Sequence, residues 1–370
     1  MRMAVIGCGV IGRVHAASIA AFAPRAELAL AVDEISDSAR ELAELHGAEF
    51  TTSVPEALKR DDIDAVAICT PSGQHADLAV SALEAGKHVI VEKPLDVTVE
   101  AAQRVAAAER RTGRTVTVVS QHRFDPASKV VHEAVHSGRF GRITSGVAGL
   151  SWWRSQSYYD SGNWRGTWAL DGGGALMNQG IHTVDLLVWM LGEPVEVFAW
   201  ADCLAHSDIE VEDTTVATIR FAGGALGVIH GTTAAYPGLT ARLQVHGDRG
   251  SAVVDDDRLA YFHAAPDGAG TDGPAYGAKG DNNQAGQVLP DEQEPAPAAG
   301  ADPSALSDAH IHQYRDFLDA IEEGRPPLVT VAEATRTLAV ICAVYESART
   351  GRPVPVDCRD LDGASGGEPA

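Results

Sequence analysis

The chain has 370 residues, which as a first expectation corresponds to about two domains. Hydrophobic residues make up 45% and charged residues 22% of the sequence, a composition that excludes intrinsic disorder of the whole chain. The formal net charge of −22 repels phosphate backbones and anionic lipids, which argues against nucleic acid or a membrane as the main partner.

No apolar run reaches the roughly 18 residues that suggest a membrane span. The apolar start of the chain is interrupted at Gly7, which does not fit a signal peptide. The five cysteines are odd in number, far apart and without a Cys-x-x-Cys motif. We therefore expect reduced thiols and a cytoplasmic protein.

Residues 1–122 alternate short apolar runs with helical patterns. The runs predict five strands, at residues 3–6, 28–32, 65–69, 89–91 and 115–119. They are continuously apolar rather than alternating, which indicates burial on both faces. This pattern predicts an α/β domain with a parallel sheet between helices.

After residue 122 the pattern changes. Strands are predicted at residues 142–150, 194–204, 212–221, 225–231, 241–247 and 251–262, several of them joined by short turns. We therefore expect a second, α+β domain over residues 123–355 with a large, predominantly antiparallel open sheet. Residues 263–309 hold 13 Gly and Pro residues in 47 and predict a loop, which ends where Ser307 can cap a helix. Residues 356–370 predict a loose tail.

The first motif is a G-x-G-x-x-G sequence between a predicted strand and a predicted helix, which is the context of a dinucleotide-binding loop. Gly7 allows a tight turn, Gly9 lets the backbone approach a pyrophosphate, and Gly12 lets helix and strand pack closely. The alternative is a glycine-rich turn that binds nothing.

Asp33 lies 21 residues after Gly12, at the end of the second predicted strand. A carboxylate at this place accepts hydrogen bonds from the ribose hydroxyls and repels a 2′-phosphate. No arginine follows it, since the next residue is Glu34. The sequence therefore predicts NAD, preferred over NADP, in a Rossmann domain.

Lys93 follows the buried strand that ends at Val91, within the sequence Glu92-Lys93-Pro94. Ligands of open α/β sheets bind outside the carboxyl ends of the strands. Burial would lower the pKa of this lysine and suit it to relay a proton or to bond a substrate hydroxyl. The alternative is a surface lysine at a strand end.

A second polar group follows three consecutive glycines at residues 172–174. Asn178, His182 and Asp185 recur at helical spacing beside an apolar stripe. His182 has the pKa range to accept a hydroxyl proton, and Asp185, one turn away, could orient it. The alternative is a polar helix flank that meets solvent or another subunit.

The segment at residues 151–168 holds four of the six tryptophans of the chain, interspersed with arginines. Aromatic faces and guanidinium groups suit sugar stacking and the binding of phosphate or carboxylate. The candidate substrate-binding residues here are Arg154, Tyr158, Trp164 and Arg165. The alternative is an aromatic core or a subunit contact.

One motif points elsewhere. His132-Glu133-Ala134-Val135-His136 matches the H-E-x-x-H pattern of zinc proteases. A catalytic zinc needs a third protein ligand, and Arg142 stands where the extended motif has its histidine. We therefore expect no metal.

Together these residues resemble the Gfo/Idh/MocA family of sugar oxidoreductases, over residues 1–350. The resemblance rests on the glycine motif, Asp33, Cys69-Thr70-Pro71 with His75, Ala85-Gly86-Lys87-His88-Val89 before Glu92-Lys93-Pro94, and Gly172 to His182 and Asp185. It implies a Rossmann domain and a C-terminal domain whose open sheet supports dimers or tetramers. By the resemblance, Lys93 and His182 are the polar pair at the substrate hydroxyl. The cofactor would be lined by Gly7, Gly9, Val10, Ile11, Gly12, Asp33, Thr70, Pro71, His75, Glu92, Lys93 and Gln121.

Many family members carry an aspartate four residues before the histidine, where this chain has Asn178. The segment from Trp164 to His182 looks more like the branch that oxidises C3 of nucleotide sugars or related pyranosides. The expected function is hydride transfer between a sugar or polyol secondary hydroxyl and NAD. Two alternatives are an NAD-dependent glycoside hydrolase with transient redox and a non-catalytic NAD-dependent sensor.

Overall fold

A computed structural model describes residues 1–266, 282–290 and 307–358, with the side chains of residues 307 and 308 left out. Most of the predicted loop at 263–309, the predicted cap at Ser307 and the tail beyond residue 358 lie outside the described residues. The fold combines two sheets with helices packed on them.

The first sheet is parallel and six-stranded, in the order β3-β2-β1-β4-β5-β6. Its strands are β1 (Arg2–Ile6), β2 (Glu27–Val32), β3 (Glu49–Thr51), β4 (Ala65–Ile68), β5 (His88–Val91) and β6 (Val116–Val118). Its helices are α1 (Val10–Ala20), α2 (Ser36–His46), α3 (Val54–Leu58), α4 (His75–Glu84) and α5 (Val99–Thr112). The strand order reverses between β1 and β4, so the carboxyl ends of these two strands border a ligand-binding crevice.

The predicted α/β class of this part is confirmed, with two additional elements. The short edge strand β3 and the helix α3 were not expected, because Glu49–Thr51 is too short and too polar to give an apolar run. The inner strands β4 and β5 are almost wholly buried, as their continuously apolar sequences predict.

The second sheet has eight strands in the order β13-β12-β11-β7-β10-β9-β8-β14. The strands are β7 (Ile143–Ser151), β8 (Pro194–Asp202), β9 (Thr214–Phe221), β10 (Leu226–Thr232), β11 (Ala241–Gly247), β12 (Gly250–Asp255), β13 (Arg258–Ala264) and β14 (Val354–Pro355). All neighbours pair antiparallel except β7 and β10, which are parallel. The predominantly antiparallel sheet is thus confirmed. Alternating burial along β9 and β10 leaves one face of the sheet exposed.

The helices of this part are α6 (Pro126–His136), α7 (Gln156–Tyr159), α8 (Ile181–Leu191), α9 (Ala285–Val288), α10 (Ser307–Glu323) and α11 (Val331–Thr350). The apolar stripe predicted one regular helix through Asn178 and His182. Instead, a π-helical turn at Ala175–Gly180 precedes α8. A π-helical turn shifts the side chains that follow it around the helix axis, and such turns occur frequently at functional sites.

The chain returns to the first sheet near its end. Tyr314, Phe317 and Leu318 of α10 belong to the same buried cluster as Met3 and Val5 of β1. The predicted division at residue 122 assigns α10 to the second domain, but α10 packs against the first sheet. The predicted tail also begins too early, since the Val356 amide donates to the Val195 carbonyl and its side chain is buried. Among the described residues, no helix has the length and hydropathy of a membrane span.

Candidate functional site

The glycine motif forms the turn between β1 and α1. Gly7 has a φ of +96°, and a Cβ atom there would stand 2.6 Å from the carbonyl oxygen of Cys69. A Cβ atom at Gly12 would stand 2.0 Å from the carbonyl oxygen of Gly7. At Gly9, by contrast, a Cβ atom would meet nothing within 4 Å. Gly7 and Gly12 therefore permit close packing within the fold, while Gly9 leaves open space beside the loop.

The amino end of α1 faces this open space. Gly9 is its N-cap and no side chain caps the helix. Val10 is 66% exposed, and Ile11 is partly exposed. The first amides of a helix lack partners inside it and attract anions, so this end fits the pyrophosphate of a dinucleotide.

Asp33 lies at the carboxyl end of β2, next to the glycine turn. Its Oδ2 accepts a hydrogen bond from the Cys8 amide at 2.7 Å, and its Oδ1 accepts one from the Ile35 amide at 2.8 Å. These bonds fix a half-buried carboxylate at the rim of the open space. The residues present thus fit the adenosine half of NAD, with acceptors in place for the ribose hydroxyls.

Two buried oxygens at the ends of β4 and β6 lack partners. Neither Thr70 Oγ1 nor Gln121 Oε1 has a hydrogen-bond partner among the described residues. Unpaired buried polar atoms are rare and call for a ligand or water. Both residues follow strands at the carboxyl edge of the first sheet, a position that fits the amide and hydroxyl groups of a bound dinucleotide.

His75 and Glu92 need correction, because neither side chain is free to line a cofactor. His75 is buried and its ring nitrogens lie 2.7 Å from the Pro94 oxygen and 2.8 Å from the Thr70 oxygen. Glu92 is buried against His15, with an Oε1 to Nε2 distance of 3.0 Å. These two residues instead hold the loops that carry Thr70 and Lys93.

Lys93 reaches from the first sheet to the π-helical turn. Its Nζ donates to the Asn178 carbonyl oxygen at 2.8 Å and to Asn178 Oδ1 at 3.4 Å. Burial lowers the pKa of this lysine, and the nearby carboxylates of Glu92 and Asp171 oppose that shift. A lysine in this setting can give up and regain a proton more readily than one in water.

The π-helical turn is fixed at its start by residues distant in sequence. A Cβ atom at Gly173 would stand 2.1 Å from Tyr345 Oη, and one at Gly174 would stand 2.0 Å from the Glu212 carbonyl oxygen. The Glu212 carboxylate accepts from the amides of Gly174 and Leu176 at 2.9 and 2.8 Å. The glycines therefore admit neighbouring chain segments, which place Asn178.

Asp171 is a site residue that the sequence analysis did not select. It is buried, and its Oδ2 accepts from the Gly166 amide at 2.8 Å. Its Oδ1 accepts a short hydrogen bond from Asn178 Nδ2. Burial raises the pKa of Asp171, against the hydrogen bonds from Gly166 and Asn178. Position 178 therefore carries a neutral amide, and the carboxyl group that many family members carry at this position is supplied here by Asp171, which is hydrogen-bonded to that amide.

His182 lies in the first turn of α8, with its ring edge-to-face against His122 at a centroid distance of 5.1 Å. Burial and the neighbouring cations His122 and Lys93 lower the pKa of His182 well below its ordinary value. It is therefore neutral at neutral pH and can accept a proton.

His122 is charged because two carboxylates face it. Its Nδ1 lies 2.7 Å from Asp125 and 3.1 Å from Asp257, in the turn between β12 and β13. Burial alone would lower the pKa of His122, but the two aspartates raise it to about 10.

Asp185 does not orient His182, which corrects the sequence-based expectation. Its carboxylate is buried and accepts from Arg123 Nε and Nη2, both at 2.7 Å. It also accepts from the Thr337 hydroxyl at 2.8 Å. Asp185 therefore joins α8 to α11 and to the turn after β6, and it is not a substrate-binding residue.

In the aromatic segment, Arg154 and Arg165 both lie against the ring of Tyr158. The guanidinium carbon of Arg165 lies 4.4 Å from the Tyr158 ring centroid, and that of Arg154 lies 5.4 Å from it. The Tyr158 hydroxyl accepts from Arg165 Nη1 at 2.7 Å and from Gln179 Nε2 at 2.8 Å. Trp164 stacks on Arg165 at 4.3 Å. Gln179 also donates to Asn178 Oδ1 at 3.1 Å, which links this group to Lys93.

The H-E-x-x-H motif has a packing role. The His132 ring stacks on Trp189 at 3.7 Å and on His136 at 3.8 Å. In the described ranges, the residues that cluster with metal-ligand spacing are instead His15, Glu92 and His310, and His122, Asp125 and Asp257.

Sequence reasoning missed Asp171, Gln179, His122 and Glu212. Asp171 begins the glycine run and Gln179 follows Asn178, so their neighbours were a usable signal. His122 follows the predicted Gln121 directly, but its role depends on Asp257, 135 residues later. No local pattern predicts a contact of that range.

Comparisons with known proteins identify the family of the chain. Residues 1–120 match a family model described as "Oxidoreductase family, NAD-binding Rossmann fold", and residues 129–253 match the GFO/IDH/MocA C-terminal domain. The WlbA dehydrogenase from Bordetella pertussis, solved in complex with NADH and UDP-GlcNAcA, is 31% identical, with a TM-score of 0.84 over 96% of this chain and 98% of that one.

Two curated relatives extend the comparison. The scyllo-inositol 2-dehydrogenase (NAD(+)) of Bacillus subtilis is 26% identical over 97% of each chain. The levoglucosan dehydrogenase of Pseudarthrobacter phenanthrenivorans is 28% identical over 94% of this chain and 96% of that protein. The chain belongs to the Gfo/Idh/MocA family of oxidoreductases, whose N-terminal domain is an NAD-binding Rossmann fold.

Proposed function

We propose that this NAD-dependent oxidoreductase oxidises a secondary hydroxyl of a sugar or nucleotide sugar to a ketone, and catalyses the reverse reduction. The observation that carries the proposal is the hydrogen bond of Lys93 to Asn178 at the carboxyl end of β5, close enough to neutral His182 for the charge of Lys93 to act on it. A buried amine and a neutral imidazole are suited to moving one proton to and from a hydroxyl.

In this proposal the proton of the reacting hydroxyl passes to His182 or Lys93. His182 offers an unprotonated ring nitrogen at neutral pH, since its pKa lies well below the ordinary value. Lys93, held by Asn178, donates a hydrogen bond to the same oxygen and stabilises the negative charge that develops there. Asp171 acts through Asn178 as a positioning residue that fixes where the lysine points.

NAD⁺, when bound, supplies the acceptor for the hydride that leaves the carbinol carbon. The residues that would hold it are Gly9, Val10, Asp33, Thr70 and Gln121, on the structural grounds given above. The positions of the donors and acceptors are set by strand ends and are therefore organised before the substrate binds.

The proposed substrate class rests on the relatives. WlbA was solved with a nucleotide sugar, and two other relatives are named for inositol and levoglucosan. Common to these compounds is a six-membered ring with secondary hydroxyls. We therefore place the substrate among pyranosides, nucleotide sugars and cyclitols.

We also propose that the chain forms a homodimer or homotetramer through the exposed face of the second sheet. Trp200 on β8 is 65% exposed and pairs with Val216 on β9, which is 43% exposed. Leu226 and Val228 on β10 extend the same face, with exposures of 56% and 40%. Several exposed apolar side chains on one face of a sheet indicate a protein interface.

The test is NADH fluorescence after mixing the protein and NAD⁺ with polyols, free sugars, sugar phosphates and nucleotide sugars. A signal with one class is the expected result and identifies the substrate type. Release of a sugar from a glycoside without NADH accumulation would instead indicate the hydrolase. NAD binding without turnover of any compound would indicate the sensor.

A further inference from the structure

Two half-buried arginines, Arg154 and Arg165, contact the ring of Tyr158. Among the described residues, Arg165 donates to the neutral oxygens of Tyr158 and Ser161, and Arg154 donates to Gln179 Oε1 and to the Trp153 carbonyl oxygen. Within the described ranges, no carboxylate forms an ion pair with either guanidinium. A partly desolvated charge without a counterion is costly, so the arrangement has to be offset by another interaction.

The rest of the chain shows how arginines are usually satisfied here. With 51 acidic residues against 29 basic ones, carboxylates are abundant. The buried Arg123, for example, pairs with both Asp185 and Glu333. The charge of Arg165 acts on Asp171, but the carboxylate oxygens of Asp171 accept their hydrogen bonds from Gly166 and Asn178. Arg154 and Arg165 are therefore the part of this site that is left for an anion from outside.

The arginines also lie close to the proposed reacting group. Gln179 accepts from Arg154 at 2.8 Å and donates to Asn178 Oδ1 at 3.1 Å. Lys93 donates to that same Oδ1 atom at 3.4 Å. Two neutral side chains, Gln179 and Asn178, thus connect the Arg154 guanidinium with Lys93, and Arg165 joins the same chain of hydrogen bonds through Tyr158.

We propose that the substrate is an anionic sugar, whose carboxylate or phosphate group is bound by Arg154 and Arg165 while its reacting hydroxyl lies at Lys93. This inference rests on the proposed function and narrows its substrate class. The planar guanidinium fork binds both kinds of anion in pairs of charge-assisted hydrogen bonds, which an ammonium group cannot do. Neutral sugars leave the two charges without a partner and bind more weakly.

The test compares glucose, glucuronate and glucose 6-phosphate as ligands of the full-length protein saturated with NADH, with calorimetry as the readout. At least one anion is expected to bind about tenfold to a hundredfold more tightly than glucose, the range of a charge-assisted pair. Glucuronate and glucose 6-phosphate distinguish a carboxylate on the ring from a phosphate.

Charge-removing variants locate the effect. Arg154→Gln and Arg165→Gln are each expected to reduce the anion-to-glucose affinity ratio about tenfold or more. Arg165→Lys keeps the charge but not the fork and should give an intermediate ratio. Arg110→Gln, on the exposed face of α5, removes one equal charge elsewhere and should leave the ratio unchanged.

The inference is overturned if neither anion binds more tightly than glucose, which includes the case that no anion binds. It is also overturned if the two site variants leave the ratio where Arg110→Gln leaves it. Anion binding without NADH formation from any sugar would retain this site and remove the dehydrogenase function. Turnover of neutral sugars without an anion preference would retain the dehydrogenase function and remove the anion site.

Discussion

Lys93 and Asp171 are two buried ionisable groups that share one amide, Asn178. Burial lowers the pKa of the lysine and raises that of the aspartate, so both are shifted towards their neutral forms. Their separation by Asn178 keeps them from forming a direct ion pair, which would hold the lysine protonated. The lysine is therefore fixed in place without losing its capacity to move a proton.

Asp33 gives a prediction at the scale of one side chain. Asp33→Ala removes the acceptor proposed for the ribose hydroxyls and the repulsion of a 2′-phosphate. NAD binding should weaken about tenfold or more, as for loss of a hydrogen bond to a charged group, and discrimination against NADP should fall. Titration of both dinucleotides measures this. Glu34→Ala, one residue further and exposed, is the matched control; equal selectivity in both variants would remove the role of Asp33.

The site residues differ in how far their sequence reveals them. Lys93 and His182 were predicted because a strand end and a helical spacing place them, and their roles remain proposals. Asp171 and His122 depend on contacts with Asn178 and with Asp257. Asp185 was misassigned because helical spacing alone does not show that its carboxylate is bound by Arg123.

At the scale of elements, the turn between β12 and β13 reaches the site. Asp256 and Asp257 both have positive φ, as the two central residues of a tight hairpin require. This turn brings Asp257 to His122, which follows β6 and contacts His182 on α8. Three elements from distant parts of the chain thus meet around the proposed proton acceptor.

This contact predicts how stability depends on pH. The aspartates raise the pKa of His122 from 6.5 to about 10, so its contribution is present below the ordinary pKa and is lost as pH rises through about 10. Asp257→Asn should lower that pKa, so the loss of stability, which starts near 6.5 in both proteins, should be complete at a lower pH and smaller in total. Urea unfolding at a series of alkaline pH values measures the difference.

Asp256→Asn, in the same turn, is the control for that experiment, because Asp256 makes no ion pair with His122 within the described residues. Because the charge of His122 acts on Asp256 without an ion pair, the stability of this variant should follow the unchanged protein more closely than that of Asp257→Asn does. If Asp257→Asn and Asp256→Asn showed the same pH dependence, the ion pair at His122 would not contribute as described.

The sequence predicted most elements from periodicity but not the π-helical turn. The apolar stripe from Met177 to Leu191 is compatible with either helix geometry, so it could not distinguish them. The π-helical geometry is favoured by Glu212 and Tyr345, which accept hydrogen bonds from backbone amides at the start of the turn. Each buried amide left without such a partner would cost about 1–3 kcal/mol.

At the scale of the whole molecule, a helix from the last third of the chain, α10, packs on the domain of the first sheet. Arg25 pairs with Asp319 and Glu322, and Tyr314 bonds His15 at 2.7 Å, which anchors α10 on α1. Sequence order alone suggested two consecutive domains. The return of α10 depends on buried contacts with β1 that no local pattern reveals.

The exposed face of the second sheet predicts the state of association. Trp200→Glu would place a charge in the proposed interface, and size-exclusion chromatography should show a shift from the oligomer to the monomer. Leu45→Glu is the control, because Leu45 is 69% exposed on α2, away from the sheet. An oligomer that survives Trp200→Glu, or a monomeric unchanged protein, would contradict the interface.

Turnover by Lys93→Ala beside the unchanged protein, measured as NADH fluorescence with NAD⁺ and the sugar panel, tests the proposed proton transfer most directly. The unchanged protein is expected to form NADH from at least one sugar. The variant is expected to lose about a hundredfold or more of this turnover, as for loss of a proton-transfer group, with similar NAD affinity. Turnover by Lys93→Ala within a few fold of the unchanged protein would contradict the central role of this lysine.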